Sequence, residues 1–288
     1  MTDREYYGRT KKGFCRREKD GVIYYTVPSF DELGTLLHGF TSRIGGVSRG
    51  PFESLNLSLK REQEMDNVTE NFRRAGRAIG VAAEDMAVCH YEHGINVEHI
   101  DETMKGMGIR RENTMPFCDG VFVTEPGTVA VTIHADCNPI FFADIQGRAA
   151  GVCHAGWKGT LGGVTGTIIR KLKETCGAEP KDVLFGIGPS IGPCCFEVKD
   201  DVGSLFIEKY GEEVRRIDGE RQTIDLWLVL AKQLRELGVP AENVTMSELC
   251  TFCDSENFYS YRRDRAKTGA MGSFMALKPE TKNDWLCE

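Results

Sequence analysis

The sequence predicts an α/β protein folded as a single domain, and three observations support that prediction. First, residues 129–139 and 151–159 are two β-branched, apolar segments that run into turns, as strands do where they leave a sheet. Second, residues 66–81 carry apolar side chains with the spacing of one face of a helix. Third, the 288 residues include no repeat, low-complexity tract or linker rich in Pro and Ser at which a second domain would begin.

Composition narrows the classes of partner. Hydrophobic residues make up 41% of the chain, enough for a sizeable core. The 36 basic and 43 acidic residues give a net charge of −7, which argues against broad binding to nucleic acid or to anionic membranes. No apolar run approaches the roughly 20 residues that span a bilayer. The 11 cysteines follow no repeating spacing and the chain opens on no apolar signal segment, so we expect reduced thiols in the cytoplasm.

The first part of the chain is predicted to be peripheral. Residues 1–20 are highly charged and leave little to bury, so we expect a mobile or edge lead-in followed by one domain over residues 21–288. Apolar segments at 22–27 and 35–40 predict the first two strands of that domain.

A glycine-bearing loop follows the second of these strands. Gly45 and Gly46 allow backbone N–H groups to turn toward one point, and Arg43 and Ser48 add side-chain donors. Such a loop could hold a phosphate or carboxylate. It could equally be an ordinary turn, because glycine is the default turn residue.

The remaining elements alternate between strands and helices. The helix at 66–81 has Asp66 or Asn67 as its expected cap. Further strands are predicted at 86–90, 95–100, 119–124, 183–187 and 244–249, and further helices at 161–172, 200–210 and 225–237. The helix after Gly159 would direct free N–H groups toward the ends of the central strands.

Three potential ligands lie where predicted strands end: His93, Cys137 and His154. Ligands gather at such ends in α/β sheets. Two imidazoles and one thiolate suit zinc, and three protein ligands leave a fourth position for water or substrate. Copper is also compatible with these ligands. Alternatively, Cys137 is a nucleophile with His154 as its base and Asp136 or His134 orienting it, or the three ligands are buried and inert.

Two later motifs offer weaker indications. Cys250 and Cys253 have CxxC spacing, but without a second pair this favours a structural role over zinc or redox chemistry. Arg262 and Arg263 are adjacent arginines flanked by hydroxyls and aromatic rings. They could pair with carboxylates of the fold or hold an anionic ligand.

Several motifs together resemble the YfiH-type family, also called laccase-domain or multicopper polyphenol oxidase-like proteins. They are GFTSRIGGVS (39–48), SLNL (54–57), HG (93–94), ADCNP (135–139), HAGWKG (154–159), GPSIGPCC (188–195) and SYRR (260–263). The resemblance runs from about residue 39 to residue 277. It implies a four-layer α/β/β/α domain with two central mixed sheets, and a zinc ion bound by His93, Cys137 and His154.

The activity that this resemblance implies is phosphate-dependent cleavage of adenosine, inosine and S-methyl-5'-thioadenosine, with deamination of adenosine. Phosphorolysis needs an anion cradle, for which the Arg43 loop and the helix after Gly159 are candidates. Deamination needs an activated water, which a metal ion can supply. The expected partners are a purine nucleoside and phosphate, with the protein a monomer or homodimer. Copper-dependent phenol oxidation and a Cys-His hydrolase acting on peptidoglycan precursors are alternatives, the former disfavoured by a chain with 6 histidines.

The chain departs from the family pattern at several positions. His134 replaces a small hydroxyl residue, so an extra imidazole precedes the cysteine, and Tyr91 and Glu92 replace the usual Gln and Val before the His-Gly pair. Ala270 and Lys158 each replace an arginine, which removes one anion contact and one bidentate group.

Overall fold

Two large β-sheets lie face to face in the computed structural model, which describes residues 1–62, 64–265 and 267–279. The strands within these residues are Lys11–Lys12 (β1), Cys15–Lys19 (β2), Val22–Thr26 (β3), Leu36–Thr41 (β4), Met86–Val88 (β5), Val97–His99 (β6), Gly120–Val123 (β7), Val129–His134 (β8), Asn138–Asp144 (β9), Ala150–Ala155 (β10), Val183–Ile187 (β11), Arg215–Asp218 (β12), Arg221–Ile224 (β13), Val244–Met246 (β14) and Met271–Leu277 (β15). The α-helices there are Asp3–Arg9 (α1), Pro28–Leu33 (α2), Met65–Ile79 (α3), Trp157–Gly162 (α4), Val164–Cys176 (α5), Asp200–Tyr210 (α6), Leu226–Glu236 (α7) and Tyr261–Asp264 (α8).

Both large sheets are mixed. The seven-stranded sheet has the order β1-β14-β11-β9-β10-β7-β6, with parallel pairs at β1/β14, β14/β11 and β7/β6 and antiparallel pairs between them. The six-stranded sheet has the order β2-β3-β4-β15-β8-β5, and only its β8/β5 pair is parallel. A separate hairpin is formed by β12 and β13.

Helices cover the outer faces of the sheets and complete four layers. Strands β9, β10 and β11 bury their outer face under α1, α5 and α7, whereas β8 and β15 bury theirs under α3. Between the sheets, apolar side chains from β7, β9 and β10 meet those from β4, β8 and β15 in one cluster. Burial on both faces explains why β8 and β10 read as nearly continuous apolar runs. The predicted single α/β/β/α domain with two mixed central sheets is confirmed as the fold class.

Helix α3 was predicted on the correct face but with the wrong cap. Val68, Phe72 and Ala75 are fully buried against the six-stranded sheet, as their spacing indicates. The helix begins at Met65, with Glu64 as the N-cap residue and no side-chain capping bond. The cap prediction fails because the helix starts earlier than its first apolar residue suggests.

The single helix predicted after Gly159 is two helices. Gly163 adopts φ 83° and separates α4 from α5, a left-handed conformation that ends the first helix. The apolar positions keep a helical spacing across this break, so their pattern alone did not reveal it.

Residues 1–20 form α1, β1 and β2. Helix α1 packs against α7, and each strand lies at the edge of one large sheet. The boundary at residue 20 between lead-in and domain stays a prediction. No helix in the described ranges has the length and hydropathy that a membrane crossing requires.

Candidate functional site

A cavity of about 810 Å³ contains the predicted ligands. Its walls come from the segments 58–61 and 88–91, the ends of β8 and β10, and side chains that include Tyr261, Arg262 and Ala270. His93, Cys137 and His154 all line it. The cavity therefore unites segments that are distant in the sequence.

The route by which Cys137 and His154 come together differs from the prediction. Cys137 lies in the connection between β8 and β9, and His154 lies inside β10, paired with Pro139. Because β8 belongs to the six-stranded sheet and β10 to the seven-stranded sheet, the two residues do not follow neighbouring strands of one sheet. They approach each other because Cys137 directly precedes β9, whose Pro139 pairs with His154 of β10 in the seven-stranded sheet.

The three side chains border one point above Gly156. A Cβ atom built on this glycine would lie 3.4 Å from the Cys137 Sγ, 3.5 Å from the His93 Cδ2 and 3.8 Å from the His154 Cε1. The two imidazole rings are nearly perpendicular, with centroids 5.2 Å apart. Glycine at position 156 leaves this space open. The structure thus brings the predicted triad together.

Asp119, which the sequence analysis missed, organises both histidines. This fully buried carboxylate accepts hydrogen bonds from the His93 N (3.1 Å), the Gly94 N (2.6 Å) and the His154 Nδ1 (3.0 Å). Burial raises the pKa of Asp119, but the bonds from His154 and Gly94 outweigh burial and lower it. The carboxylate also holds His93 at φ 61°, a left-handed conformation that non-glycine residues rarely adopt. With Nδ1 engaged, the Nε2 of His154 is left as its second nitrogen.

His154 lies between a thiol and a carboxylate. Burial by itself lowers the pKa of His154, but the neighbouring Cys137 thiol and the Asp119 carboxylate together raise it to about 10. Burial and the nearby His154 lower the pKa of His93. An imidazole placed in this way matches both the metal-ligand and the Cys/His nucleophile interpretations of the sequence.

The three side chains are of the types that zinc binds. One thiol and two imidazoles border a common space, and the carboxylate on His154 Nδ1 is the arrangement that orients metal-bound histidines in many zinc sites. Three protein ligands would leave one position of a tetrahedral ion open.

His134 and His90 also line the cavity, and the Nδ1 of each lies close to a backbone carbonyl oxygen. The Nε2 of His134 bonds to the Thr132 hydroxyl at 2.8 Å, and its Nδ1 lies 3.2 Å from the Cys137 carbonyl oxygen. Burial, with the charge of nearby His154, holds the pKa of His134 well below its usual range, so this imidazole is neutral. The Nδ1 of His90 lies 3.1 Å from the Met115 carbonyl oxygen. His134 therefore supports the backbone of Cys137, with both ring nitrogens already engaged.

Asp136, predicted to be catalytic, is an acceptor for the segment that follows β14. Its carboxylate receives the Thr251 hydroxyl (2.7 Å), the Ser260 hydroxyl (3.0 Å) and the Arg262 backbone N–H (2.7 Å). Its own backbone adopts φ 85°. These contacts position residues 251–262 beside the cavity, and a catalytic role for Asp136 stays a prediction.

The structure places Arg43 away from the triad. Its guanidinium donates to the carbonyl oxygens of Glu53 (2.8 and 3.0 Å) and Ser255 (3.1 Å). It lines a separate hollow together with Arg263. Arg263 itself donates to three backbone carbonyls and pairs with Asp264 at 3.0 Å. Both arginines therefore bond to backbone carbonyls and, for Arg263, to a carboxylate of the same chain. Their assignment to phosphate stays a prediction.

The glycine loop uses its donors internally. The backbone N–H groups of Gly45 and Gly46 donate to the Ser54 hydroxyl at 3.1 and 3.2 Å, and the Ser48 hydroxyl donates to Glu62 at 2.6 Å. A Cβ atom at Gly46 would lie 2.1 Å from the Ser54 carbonyl oxygen. Close packing of two backbones explains this glycine, and the assignment of Gly45, Gly46 and Ser48 to phosphate stays a prediction that these contacts do not favour.

Six charged side chains line the cavity, and four of them are basic. The basic and acidic side chains that line it are Lys60, Arg61, Arg111, Arg262, Glu112 and Asp136. Arg61 is half-buried over the ring of Tyr261, with 5.2 Å from the guanidinium carbon to the ring centre. Arg262 donates to the Glu197 carbonyl oxygen at 2.9 Å. Arg61 was not singled out from the sequence, although it follows the SLNL motif closely.

Residues that depart from the family pattern also line the cavity. Tyr91 packs edge-on to His154, with ring centres 4.9 Å apart, and its hydroxyl accepts from the Ile133 N–H. Ala270 lines the wall where an arginine is usual, and its N–H donates to Asn56. Ala270 therefore presents only a methyl group to this wall, whereas Tyr91 contributes a bulky ring.

Comparisons with known proteins agree on one family. Residues 37–278 match the family model described as multi-copper polyphenol oxidoreductase laccase. The chain is 33% identical to a purine nucleoside phosphorylase, YlmD, of Geobacillus stearothermophilus over 84% of this chain and 90% of that protein. It is 31% identical to the purine nucleoside phosphorylase YfiH of Escherichia coli, covering 82% and 92% of the two chains. The crystal structure of YlmD from G. stearothermophilus superposes with a TM-score of 0.83 over 91% of this chain and 98% of that one, at 31% identity.

Proposed function

The chain belongs to the multi-copper polyphenol oxidoreductase laccase family, and from that premise we propose that it is a zinc-dependent purine nucleoside phosphorylase that also deaminates adenosine. The observation that carries the proposal is the convergence of His93, Cys137 and His154 on one open space inside a large cavity. Relatives named purine nucleoside phosphorylase support the same activity class.

The cavity suits a nucleoside together with an inorganic anion. A volume of about 810 Å³ lies in the range of small-molecule sites. Its aromatic side chains, which include Tyr91, Trp157, Phe196 and Tyr261, offer flat apolar surfaces for a purine ring. We propose adenosine, inosine and S-methyl-5'-thioadenosine as substrates, since each combines a purine with a ribose.

Phosphorolysis breaks the bond between the ribose C1' and the purine N9 and forms a bond from a phosphate oxygen to C1'. The purine leaves with the electron pair of the broken bond and takes up a proton to become the free base. We assign the binding and orientation of that phosphate to Arg61 and Arg262, which line the cavity, and the binding of the purine and the exclusion of water to its aromatic walls. A zinc ion held by the triad supplies a Lewis acid with one open position. Copper is the alternative metal for the same ligands.

The direct test is turnover of adenosine with and without phosphate. We expect metal-replete protein to release adenine and ribose 1-phosphate only when phosphate is present, and inosine with ammonia in its absence. Cys137→Ser should lose both activities, whereas Cys176→Ser, a replacement in α5 outside the cavity, should keep them. No phosphate-dependent release of adenine by zinc-loaded protein would reject the proposal.

A second candidate is a hydrolase with Cys137 as nucleophile, because His154 lies between that thiol and Asp119. Thiol alkylation separates the two roles. If Cys137 is a zinc ligand, bound zinc should protect it from iodoacetamide. If Cys137 is a nucleophile, iodoacetamide should alkylate it rapidly even in zinc-loaded protein. Hydrolysis of a peptidoglycan precursor should then be lost in step with the alkylation.

The proposed setting is the cytoplasm, with the enzyme a monomer or homodimer. Reduced thiols favour that compartment, since the proposed chemistry needs Cys137 as a free thiol. Analytical ultracentrifugation of the reduced protein would measure the oligomeric state.

A further inference from the structure

Four cysteines outside the cavity form a second cluster. Cys194 and Cys195 follow β11, and Cys250 and Cys253 follow β14. Their Sγ atoms all lie within 4.8 Å of one another. The Cys253 Sγ is 3.4 Å from that of Cys195 and 3.6 Å from that of Cys194. Two sequence segments more than fifty residues apart thus contribute two thiols each.

The spacing of the sulfurs is that of a tetrahedral metal site. With a Zn–S bond of about 2.3 Å, four sulfurs at the corners of a tetrahedron lie roughly 3.8 Å apart. The separations of 3.4 and 3.6 Å are close to this value and far above the roughly 2.05 Å of a disulfide bond, and the other pairs of sulfurs lie within 4.8 Å. Small side-chain adjustments would therefore enclose an ion without moving the backbone.

The surroundings of the cluster suit bound thiolates. The Gly192 N–H donates to the Cys250 Sγ at 3.2 Å, which stabilises negative charge on that sulfur. Cys195 is buried, whereas Cys194 and Cys253 are exposed, so an ion can enter from solvent. Four thiolates fill every position of a tetrahedral ion, which distinguishes a structural site from a catalytic one.

We propose that Cys194, Cys195, Cys250 and Cys253 bind a structural zinc ion, separate from the metal at His93, Cys137 and His154. Binding forms four Zn–S bonds and releases to solvent the protons of those thiols that were protonated. No oxidant or reductant takes part. The proposal does not depend on the nucleoside activity.

The ion would fasten one wall of the cavity. Phe196 follows Cys195 directly and lines the cavity, and Arg262 donates to the carbonyl oxygens of Cys195 (3.4 Å) and Glu197 (2.9 Å). Ser190 and Thr251 are joined by a backbone hydrogen bond of 3.0 Å beside the cluster. The zinc would therefore hold the loop after β11 against the segment that carries Arg262.

The test is cobalt substitution of the full-length, reduced protein. We expect wild type to bind two equivalents of Co²⁺ per chain and to show an intense thiolate-to-cobalt charge-transfer band. A Cys195→Ser/Cys253→Ser variant should lose one equivalent and most of that band. A His93→Ala/Cys137→Ser variant should bind one equivalent and keep the intensity of four thiolates. Cys176→Ser, with its thiol in α5, serves as the matched control and should behave as wild type.

Two results would overturn the proposal. One is a His93→Ala/Cys137→Ser protein, folded by circular dichroism, that binds no Co²⁺ with thiolate character. This variant leaves all four cysteines in place, so the result holds even if the double serine variant fails to fold. The other is a mass two hydrogens lighter, mapped to a disulfide among the four cysteines in protein purified without reductant, which would show a redox pair instead.

Discussion

Replacing Asp119 by asparagine tests how the site is organised. The Oδ1 atom accepts from the His93 N and the His154 Nδ1, and the Oδ2 atom accepts from the backbone of Gly94 and Glu92. An amide offers an oxygen on one side only. Its NH2 group must face either the turn at residues 92–94 or His154.

In either orientation the NH2 group replaces an oxygen that accepts two hydrogen bonds in the wild-type protein. At about 1.5 kcal/mol for each such bond, the free energy of unfolding should fall by about 3 kcal/mol. If the NH2 group faces His154, the Nδ1 atom must accept a hydrogen bond and the ring proton moves to Nε2, which removes the lone pair available to a metal. Loss of such an orienting partner lowers metal affinity by about 10- to 100-fold, or roughly 1.4 to 2.8 kcal/mol.

The assay is zinc affinity by competition with a chromogenic chelator, measured together with urea unfolding. Asp144→Asn is the matched control, because Asp144 is also fully buried and accepts from Arg148 (2.8 Å) and from turn amides. Both variants should be less stable than wild type. Only Asp119→Asn should lose zinc affinity, and the reasoning fails if that variant holds zinc as tightly as wild type or if both variants lose it equally.

Three further predictions concern single residues. Gly156→Ala should leave the melting temperature of the metal-free protein unchanged but bind zinc weakly in the same chelator assay, because its Cβ enters the space between the three ligands. Gly166→Ala, with open space in α5, is the control. His38 is buried, its Nε2 accepts from the Val27 N–H at 2.8 Å, and its pKa is lowered to about 4 from 6.5. As the pH falls, the unfolded chain therefore takes up the proton first. The free energy of unfolding, measured by urea titration, should be highest above pH 6.5 and fall by up to about 3 kcal/mol toward pH 4. The His38→Gln variant should show a shallower decline. Arg61→Gln should lower kcat/KM for phosphate by roughly 10- to 100-fold, the loss of one charge-assisted hydrogen bond, while the KM for adenosine changes little in steady-state kinetics; an equal rise in both KM values would contradict a phosphate role.

Sequence patterns predicted the elements whose burial is regular. Helix α3 has apolar positions at the period of a helix, and the strands around residues 129–134 and 150–155 are short, nearly continuous apolar runs, so their existence was clear. Strand β15 was not predicted, because Gly272 and Ser273 interrupt its apolar run, and yet it is buried in the centre of its sheet. Tertiary contacts from both neighbouring strands determine that strand more than its own composition.

The site was predicted where chemistry is visible in residue type. His93, Cys137 and His154 are of residue types that bind metals or act as nucleophiles, and the structure brings them together. Asp119 was missed because its function depends on donors that fold around it, and a single aspartate in a sequence gives no sign of them. The loop with Arg43 looked like an anion site because glycine and arginine suit one, but its donors meet Glu53 and other groups of the same fold.

Two residues of the triad lie in connections that cross from the six-stranded to the seven-stranded sheet: His93 between β5 and β6, and Cys137 between β8 and β9. An ion bound by the triad would link these two connections to β10 and so hold the two sheets together. At a free metal concentration about 1,000 times the dissociation constant, binding of the ion would raise the free energy of unfolding by about 4 kcal/mol. Metal binding would then require that the two sheets are packed together. A partly unfolded intermediate in which the sheets have separated would not bind the ion.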